Sequence, residues 1–223
     1  MKTSIQLKDT LIPLFKSTYF GAGFIVLGII TQVLCFLFSD TKSTLSLISG
    51  ILGILAVVLT SRRSMWFYLF GFLQLGTYLW ICCYEKLWGE VGENIFYFIT
   101  MIWGYFIWKR TYNGNEISTR SLPTFSLVVL FLVTGGITYA LYRFFLGTSD
   151  SQPFMDSIST VPAIVAQMLM IFRYKEQWIF WAIIDIASII MWIQAENYNM
   201  AFQFVFWTLN CFYGWIIWSE ENY

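Results

Sequence analysis

Eight apolar runs, each long enough to cross a membrane, leave this chain few ways to fold. They lie near 19–38, 45–61, 65–83, 91–108, 124–146, 156–172, 177–194 and 200–218 of the 223 residues. A helix needs roughly 20 apolar residues to cross about 30 Å of hydrocarbon. Inside that layer every backbone polar group must be satisfied within the element itself. Composition agrees, with 58% of residues hydrophobic, 21% aromatic and only 12% charged. A soluble domain of this length has no interior large enough to hide so much apolar surface. The expectation is an all-α integral membrane protein with eight transmembrane helices. The N-terminal MKTSIQLKDTLIPLFKSTYF has no small-residue cleavage site after a short apolar core, so it is read as a retained cytoplasmic segment and not a signal peptide.

The basic residues orient the helices. With eight crossings, the termini and alternate loops share one side. That side holds Lys2, Lys8, Lys16, Arg62, Arg63, Lys109, Arg110, Arg120, Arg173 and Lys175, against Lys42, Lys86 and Arg143 on the other. Lys and Arg gather in cytoplasmic loops, which places both termini in the cytoplasm. Acidic residues lean the other way: Asp40, Glu85, Glu90, Glu93, Asp150, Asp156 and Glu196 lie on or near the outer side. A formal net charge of +0 argues against a nucleic-acid partner. There is no histidine, and Cys35, Cys82, Cys83 and Cys211 lack metal-ligand spacing, so neither a metal site nor a cofactor is expected. A Cys82–Cys83 disulfide would be strained; both are read as small buried residues.

The chain also repeats itself. WGYFIW at 103–108 returns as YGWIIW at 213–218, an offset of 110 residues. At the same offset Ile48, Ser49, Ile54, Ala56 and Arg63 fall on Ile158, Ser159, Ile164, Ala166 and Arg173. Between these anchors an offset of 112 matches Trp66, Trp80 and Ile81 to Trp178, Trp192 and Ile193. The repeating unit is three helices, the second to fourth spans and the sixth to eighth. An odd number of crossings inverts a directly joined copy, and the fifth span restores parity, so the two repeats are parallel. The expected layout is an N-terminal segment with an additional first helix (1–44), a first repeat (45–110), a linker helix (111–150) and a second repeat (151–223). Transporters built from such repeats hold substrate near the midplane between them.

Polar residues in the repeats point to that place. In the seventh span Trp178, Trp181, Asp185, Ser188 and Trp192 recur at helical spacing and share a face. In the eighth, Gln203, Trp207, Asn210 and Gly214 form a stripe whose counterparts in the fourth are Glu93, Tyr97, Thr100 and Gly104. Gln74, Thr77 and Gln167 add hydrogen-bonding groups near the same depth. Other roles compete. Trp66, Trp88, Trp108 and Trp218 are read as interfacial anchors. Trp178 fits an anchor or a ligand wall, and Gln74 and Gln167 fit helix–helix bonding as well as ligand contact. Asp185 is different, because a charge at a helix centre costs about 2.5–3.5 kcal/mol even on the lenient insertion scale. No intramembrane Lys, Arg or His offsets it.

Indoles with one carboxylate suit a delocalised cation. Ring faces attract such a cation by about 0.5–2 kcal/mol per contact, and the carboxylate accepts from hydroxyls or an amide. A pyridinium nucleoside has all of these features, and thiamine's thiazolium satisfies the aromatic and charge terms. Phosphorylated forms do not fit, since the cluster has no Arg or Lys.

The WxxW of Trp178 and Trp181 followed by Asp185, with the two aromatic–glycine–aromatic–x–x–Trp helices, resembles the PnuC family of nicotinamide riboside transporters over roughly 45–218. The resemblance implies the three-one-three fold of the SWEET sugar transporters, a bacterial inner-membrane location and facilitated diffusion of nicotinamide riboside. It also implies trapping by a cytoplasmic riboside kinase and, from the wider SWEET-like group, a homotrimer in the lipid bilayer. Carried onto this chain, Trp178 and Trp181 sandwich the nicotinamide, and Asp185, Gln203 and Asn210 bind ribose or carboxamide. Trp207, Gln74, Tyr97 and Thr100 complete the expected substrate-binding set. Relatives carrying thiamine or riboflavin share the scaffold, and a SWEET-like sugar carrier is a further alternative. An intramembrane hydrolase would want paired acids, a Ser–His pair or a metal, which the midplane residues do not supply, so no enzyme is expected. Pro162, and Gly50 with Gly53 around its repeat counterpart Leu52, are the expected hinges.

Overall fold

The computed structural model describes residues 13–38, 43–84, 88–112, 114, 117–148, 153–194 and 198–219, with the backbone alone at 88–90 and 198–200. Lys2, Lys8, Asp40, Lys42, Glu85, Lys86, Asp150 and Glu196, and the side chains of Trp88 and Glu90, lie outside that description.

The described chain is helical, without strands. Its long helices are α1 (Thr18–Phe38), α2 (Thr44–Ser61), α3 (Trp66–Tyr84), α4 (Trp88–Thr111), α5 (Thr124–Phe145), α6 (Pro153–Ile171), α7 (Gln177–Gln194) and α8 (Tyr198–Trp218). All fall on the apolar runs of the sequence. Among the described residues, α1, α2, α3, α5, α6 and α7 are long and apolar enough to cross a bilayer. α4 and α8 are of similar length but more polar: Glu93, Asn94, Lys109 and Arg110 sit in α4, and Gln203 and Asn210 in α8.

Six helices close a ring. α2 packs on α3, α3 on α4, α4 on α6, α6 on α7, α7 on α8, and α8 back on α2. α1 lies outside the ring on the α2–α8 seam, and α5 lies outside it on α6. On the α1 seam Gly28 lets Phe206 and Ile54 approach so closely that an added Cβ would stand 2.6 Å from the phenyl ring. The ring's centre is the place for a site.

One end of the ring is tightly cross-linked, and the two halves do it the same way. α2 and α6 both finish in a Schellman cap, with Ser64 N–H donating to Leu59 O and Tyr174 N–H to Leu169 O. The left-handed residue of each cap is an arginine, Arg63 at φ 57° and Arg173 at φ 66°. Glycine takes that conformation without strain, whereas a side chain there costs about 1–3 kcal/mol. Arg173 offsets the cost by donating from Nη1 to the Ser118 carbonyl and hydroxyl at 3.0 and 2.8 Å. The segment 117–122 then straps the two halves together. Ile117 N–H donates to Arg63 O and Arg120 N–H to Arg173 O, while Thr119 Oγ1 donates to Trp218 O at 2.9 Å. Glu176 is buried beside this strap; desolvation holds its carboxyl above the usual carboxylate range, against the opposing pull of the Leu122 N–H and Lys175.

Two tryptophans expected at the interface are instead inside this closure. Trp108 and Trp218 are each 0% exposed, with centroids 5.8 Å apart. Trp108 Nε1 donates across the ring to Met170 O at 3.1 Å, and Trp218 Nε1 to Thr60 O at 3.0 Å. The reason is geometric: α4–α6 and α8–α2 are the two seams where the halves meet, and a buried indole spans each seam with its N–H satisfied. Trp66, 66% exposed, keeps a position suited to an anchor. The 112-residue offset also gives way. Tyr68 stands edge-on to Trp108 at 5.4 Å and 89°, as Trp178 does to Trp218 at 5.7 Å and 89°. The spatial counterpart of Trp178 is thus Tyr68, 110 residues earlier. Trp218→Ala is expected to lower stability by about 3–5 kcal/mol and to loosen Trp178. Thermal melts and ligand titration of the purified variant check both.

Candidate binding site

A cavity of ≈ 290 Å³ occupies the centre of the ring. α7 supplies one wall with Gln177, Trp178, Trp181, Ile184 and Asp185. Opposite, α8 gives Phe204, Trp207, Asn210 and Cys211, and α3 gives Phe67, Gly71, Gln74 and Leu75. α2 contributes Gly53, Ala56, Val57 and Thr60, and Tyr97, Met101, Gln167 and Met170 close the rest.

The indoles are held, not loose. Trp178 is buried, T-shaped to Trp218 and tight against Gly214, where an added Cβ would overlap three atoms of the indole. Trp181, half-buried one turn on, looks toward Tyr97 with centroids 6.4 Å apart. Tyr97 Oη donates to Glu93 Oε1 at 2.5 Å, which fixes the phenol. Asp185 is 5% exposed, and the hydrogen bond found for it among the described residues comes from the Cys211 thiol, at 3.4 Å. A thiol is a weak donor, so this buried carboxylate keeps most of its accepting capacity for something else.

Of the expected set, Trp178, Trp181, Asp185, Trp207, Asn210, Gln74 and Tyr97 line this one cavity. Gln203 and Thr100 do not. Gln203 is half-buried on α8, one turn before Trp207. Thr100 is a seam residue: its hydroxyl accepts from Gln167 Nε2 at 3.1 Å and donates to the Phe96 carbonyl. The other seam mirrors it, since Asn210 Nδ2 donates to Val57 O at 3.4 Å and its Oδ1 accepts from Ser61 Oγ at 3.0 Å. Asn210 therefore lines the cavity with half of its hydrogen-bonding capacity already in use. Of the hinge candidates, Gly53 lines the cavity, Gly50 seats the Gln32 amide of α1 against its backbone, and Pro162 borders a second void of ≈ 540 Å³ among α5, α6 and α7.

Gln177 is a lining residue that the sequence reading passed over. It is the first residue of α7 and lies four residues before Trp181 and eight before Asp185. That spacing puts it on their face, and it was the signal available.

The lining offers one carboxylate, several aromatic faces and no Lys or Arg among the described residues. Such a lining is chemically suited to a flat cation and offers a phosphate no cationic side chain. Residues 43–220 match the family described as nicotinamide mononucleotide transporter. The chain belongs to this family. It is 29% identical to the nicotinamide riboside transporter PnuC of Haemophilus influenzae, over 99% of this chain and 97% of the relative. It is likewise 29% identical to the nicotinamide riboside transporter PnuC of Neisseria mucosa, over 91% of this chain and 82% of that one. The crystal structure of the vitamin B3 transporter PnuC superposes with a TM-score of 0.76, at 25% identity, covering 92% of each chain. The PnuC resemblance carried by the WxxW motif thus holds, and with it a multi-pass membrane transporter in place of an enzyme.

Proposed function

We propose that this chain carries nicotinamide riboside across the bacterial inner membrane by facilitated diffusion, with a cytoplasmic riboside kinase trapping the product. The observation that carries the proposal is the ring cavity itself: indole and phenol faces around one buried carboxylate, with no cationic side chain in its lining. A pyridinium ring fits between the indoles, ribose hydroxyls reach Asp185, and a phosphate has no cationic partner. This is why the riboside is preferred here to the mononucleotide in the family's description. The volume of ≈ 290 Å³ is at the small end of ligand pockets, roughly 300–1,000 Å³. That favours a nucleoside with a single-ring base over riboflavin with its three-ring isoalloxazine, while the carboxylate favours a cation over a neutral sugar.

The proposed architecture is eight crossings, with two parallel three-helix repeats (45–110 and 151–223) around the cavity, helix α5 linking them and α1 added. Matched seams support it: Trp108 to Met170 against Trp218 to Thr60, and Thr100 with Gln167 against Asn210 with Val57, each pair offset by 110 residues. On the charge asymmetry of the loops, the strapped end is cytoplasmic and both termini lie there. Outward-facing apolar side chains such as Phe125 and Leu132 on α5 meet lipid or the neighbouring copies of a homotrimer.

For alternating access, Pro162 is the favoured hinge. It withholds an N–H from Ile158 O inside α6 and borders a void into which the helix can bend. Gly50 has Gln32 packed against it. Pro162→Ala is expected to slow liposome uptake severalfold with binding unchanged; equal uptake rates would remove the hinge.

Calorimetric titration of detergent-purified protein with nicotinamide riboside, thiamine, riboflavin and nicotinamide mononucleotide tests the substrate. Binding of the riboside alone is expected. Thiamine binding in its place moves the chain to a sister specificity, and mononucleotide binding overturns the electrostatic reading. Riboside flux into liposomes then separates a carrier from a protein that binds without moving its ligand.

A further inference from the structure

Burying an amide without partners costs roughly 1–3 kcal/mol for each idle group, so such a group inside a cavity points to what the cavity holds. Gln177 is 0% exposed and lines the cavity, and neither its Oε1 nor its Nε2 has a hydrogen-bond partner. The other amide, hydroxyl and carboxyl side chains here differ. Asn210, Gln167, Thr60 and Tyr97 are bonded to the protein, Asp185 accepts from Cys211, and Gln74 is half-buried. Gln177 offers a donor and an acceptor side by side, both unused, one residue from Trp178 and on the Trp181–Asp185 face.

We infer that Gln177 is a specificity-determining residue that reads the carboxamide of the ligand's pyridinium ring and rejects the corresponding acid. This rests on the riboside reading above. A primary carboxamide also presents a donor beside an acceptor, and two primary amides close a planar pair of hydrogen bonds. A carboxylate presents acceptors only, so one of its oxygens faces Gln177 Oε1 with no proton between them. The arrangement sets the ligand's direction: the ring lies in the Trp178–Trp181 slot with its carboxamide at the strapped end, and the ribose lies toward Asp185 and Tyr97. Trp178 Nε1 and Trp207 Nε1, likewise buried without partners, are donors left for ligand oxygens along that path.

The test removes the carboxamide from the ligand and the amide from the protein separately and together. Wild-type and Gln177→Met proteins, whose side chains are close in length, are titrated with nicotinamide riboside, 1-ribosylpyridinium and nicotinic acid riboside. Wild type is expected to bind nicotinamide riboside about 10- to 100-fold more tightly than either analogue. In Gln177→Met that preference is expected to collapse to within about threefold, while affinity for 1-ribosylpyridinium stays within about threefold of wild type. The retained 1-ribosylpyridinium binding shows at once that the variant is folded. If Gln177→Met weakens both ligands equally, or changes neither, the carboxamide assignment is wrong while the riboside reading stands. If wild type binds no riboside at all, the substrate reading fails and takes this inference with it.

Discussion

Asp185→Asn is expected to weaken nicotinamide riboside binding by about 10- to 100-fold while leaving the protein as stable as wild type or more so. The two effects have opposite signs because the carboxylate serves the ligand and not the fold. It is 5% exposed, at the centre of α7, with a thiol at 3.4 Å as its partner among the described residues. A charge held there costs about 2.5–3.5 kcal/mol on the insertion scale, and a neutral amide of the same shape removes that cost. Binding moves the other way, because Asn lacks the negative charge that draws a pyridinium and accepts from ribose hydroxyls. Titration calorimetry and thermal melting on one preparation of each protein decide it. A less stable variant with unchanged affinity would make Asp185 a structural residue and leave the cation argument without its charge.

The site was legible in the sequence where chemistry is rare for its setting. A carboxylate in an apolar run, preceded at helical spacing by Trp178 and Trp181, has few physical explanations, and these three lining residues of α7 followed from it, while Gln177 and the apolar Ile184 did not. Gln177 escaped because it opens the helix, where a polar residue is unremarkable, and only its spacing to Trp181 and Asp185 marked it. The helices themselves were legible from apolar length alone. What apolar length does not encode is which helices touch. Trp108 and Trp218 looked like anchors because each lies near a helix end. Only the ring order, with α4 against α6 and α8 against α2, puts them inside. The same holds for Thr100, whose polarity suggested a ligand until its partner across the seam proved to be Gln167. The 112-residue offset failed for a related reason. Tryptophan was matched to tryptophan, whereas the fold preserves the place of an aromatic edge, and Tyr68 serves that place as well as an indole.

Trp181→Ala is expected to weaken riboside binding by about 10- to 300-fold, the combined effect of one aromatic stack and one cation–π contact. Gly214→Ala should approach it, although Gly214 does not line the cavity. The added methyl would overlap Cδ2, Cε2 and Cζ2 of Trp178. These are atoms of a rigid ring, so the indole must move as a body. Trp218, T-shaped to it at 5.7 Å, restricts that movement, and Trp218 is itself tied to Thr60 O across the α8–α2 seam. The open direction is the cavity, and an indole pushed there narrows the slot meant for the pyridinium ring. Gly76→Ala is the matched control, since an added Cβ there meets nothing within 4 Å. It should alter neither binding nor melting. Titrations of the three variants separate the readings: a silent Gly214→Ala beside a crippled Trp181→Ala would mean that Trp178 is not a wall of the slot. Loss in both, with Gly76→Ala unchanged, would mean that the slot's width is set by a glycine on the neighbouring helix.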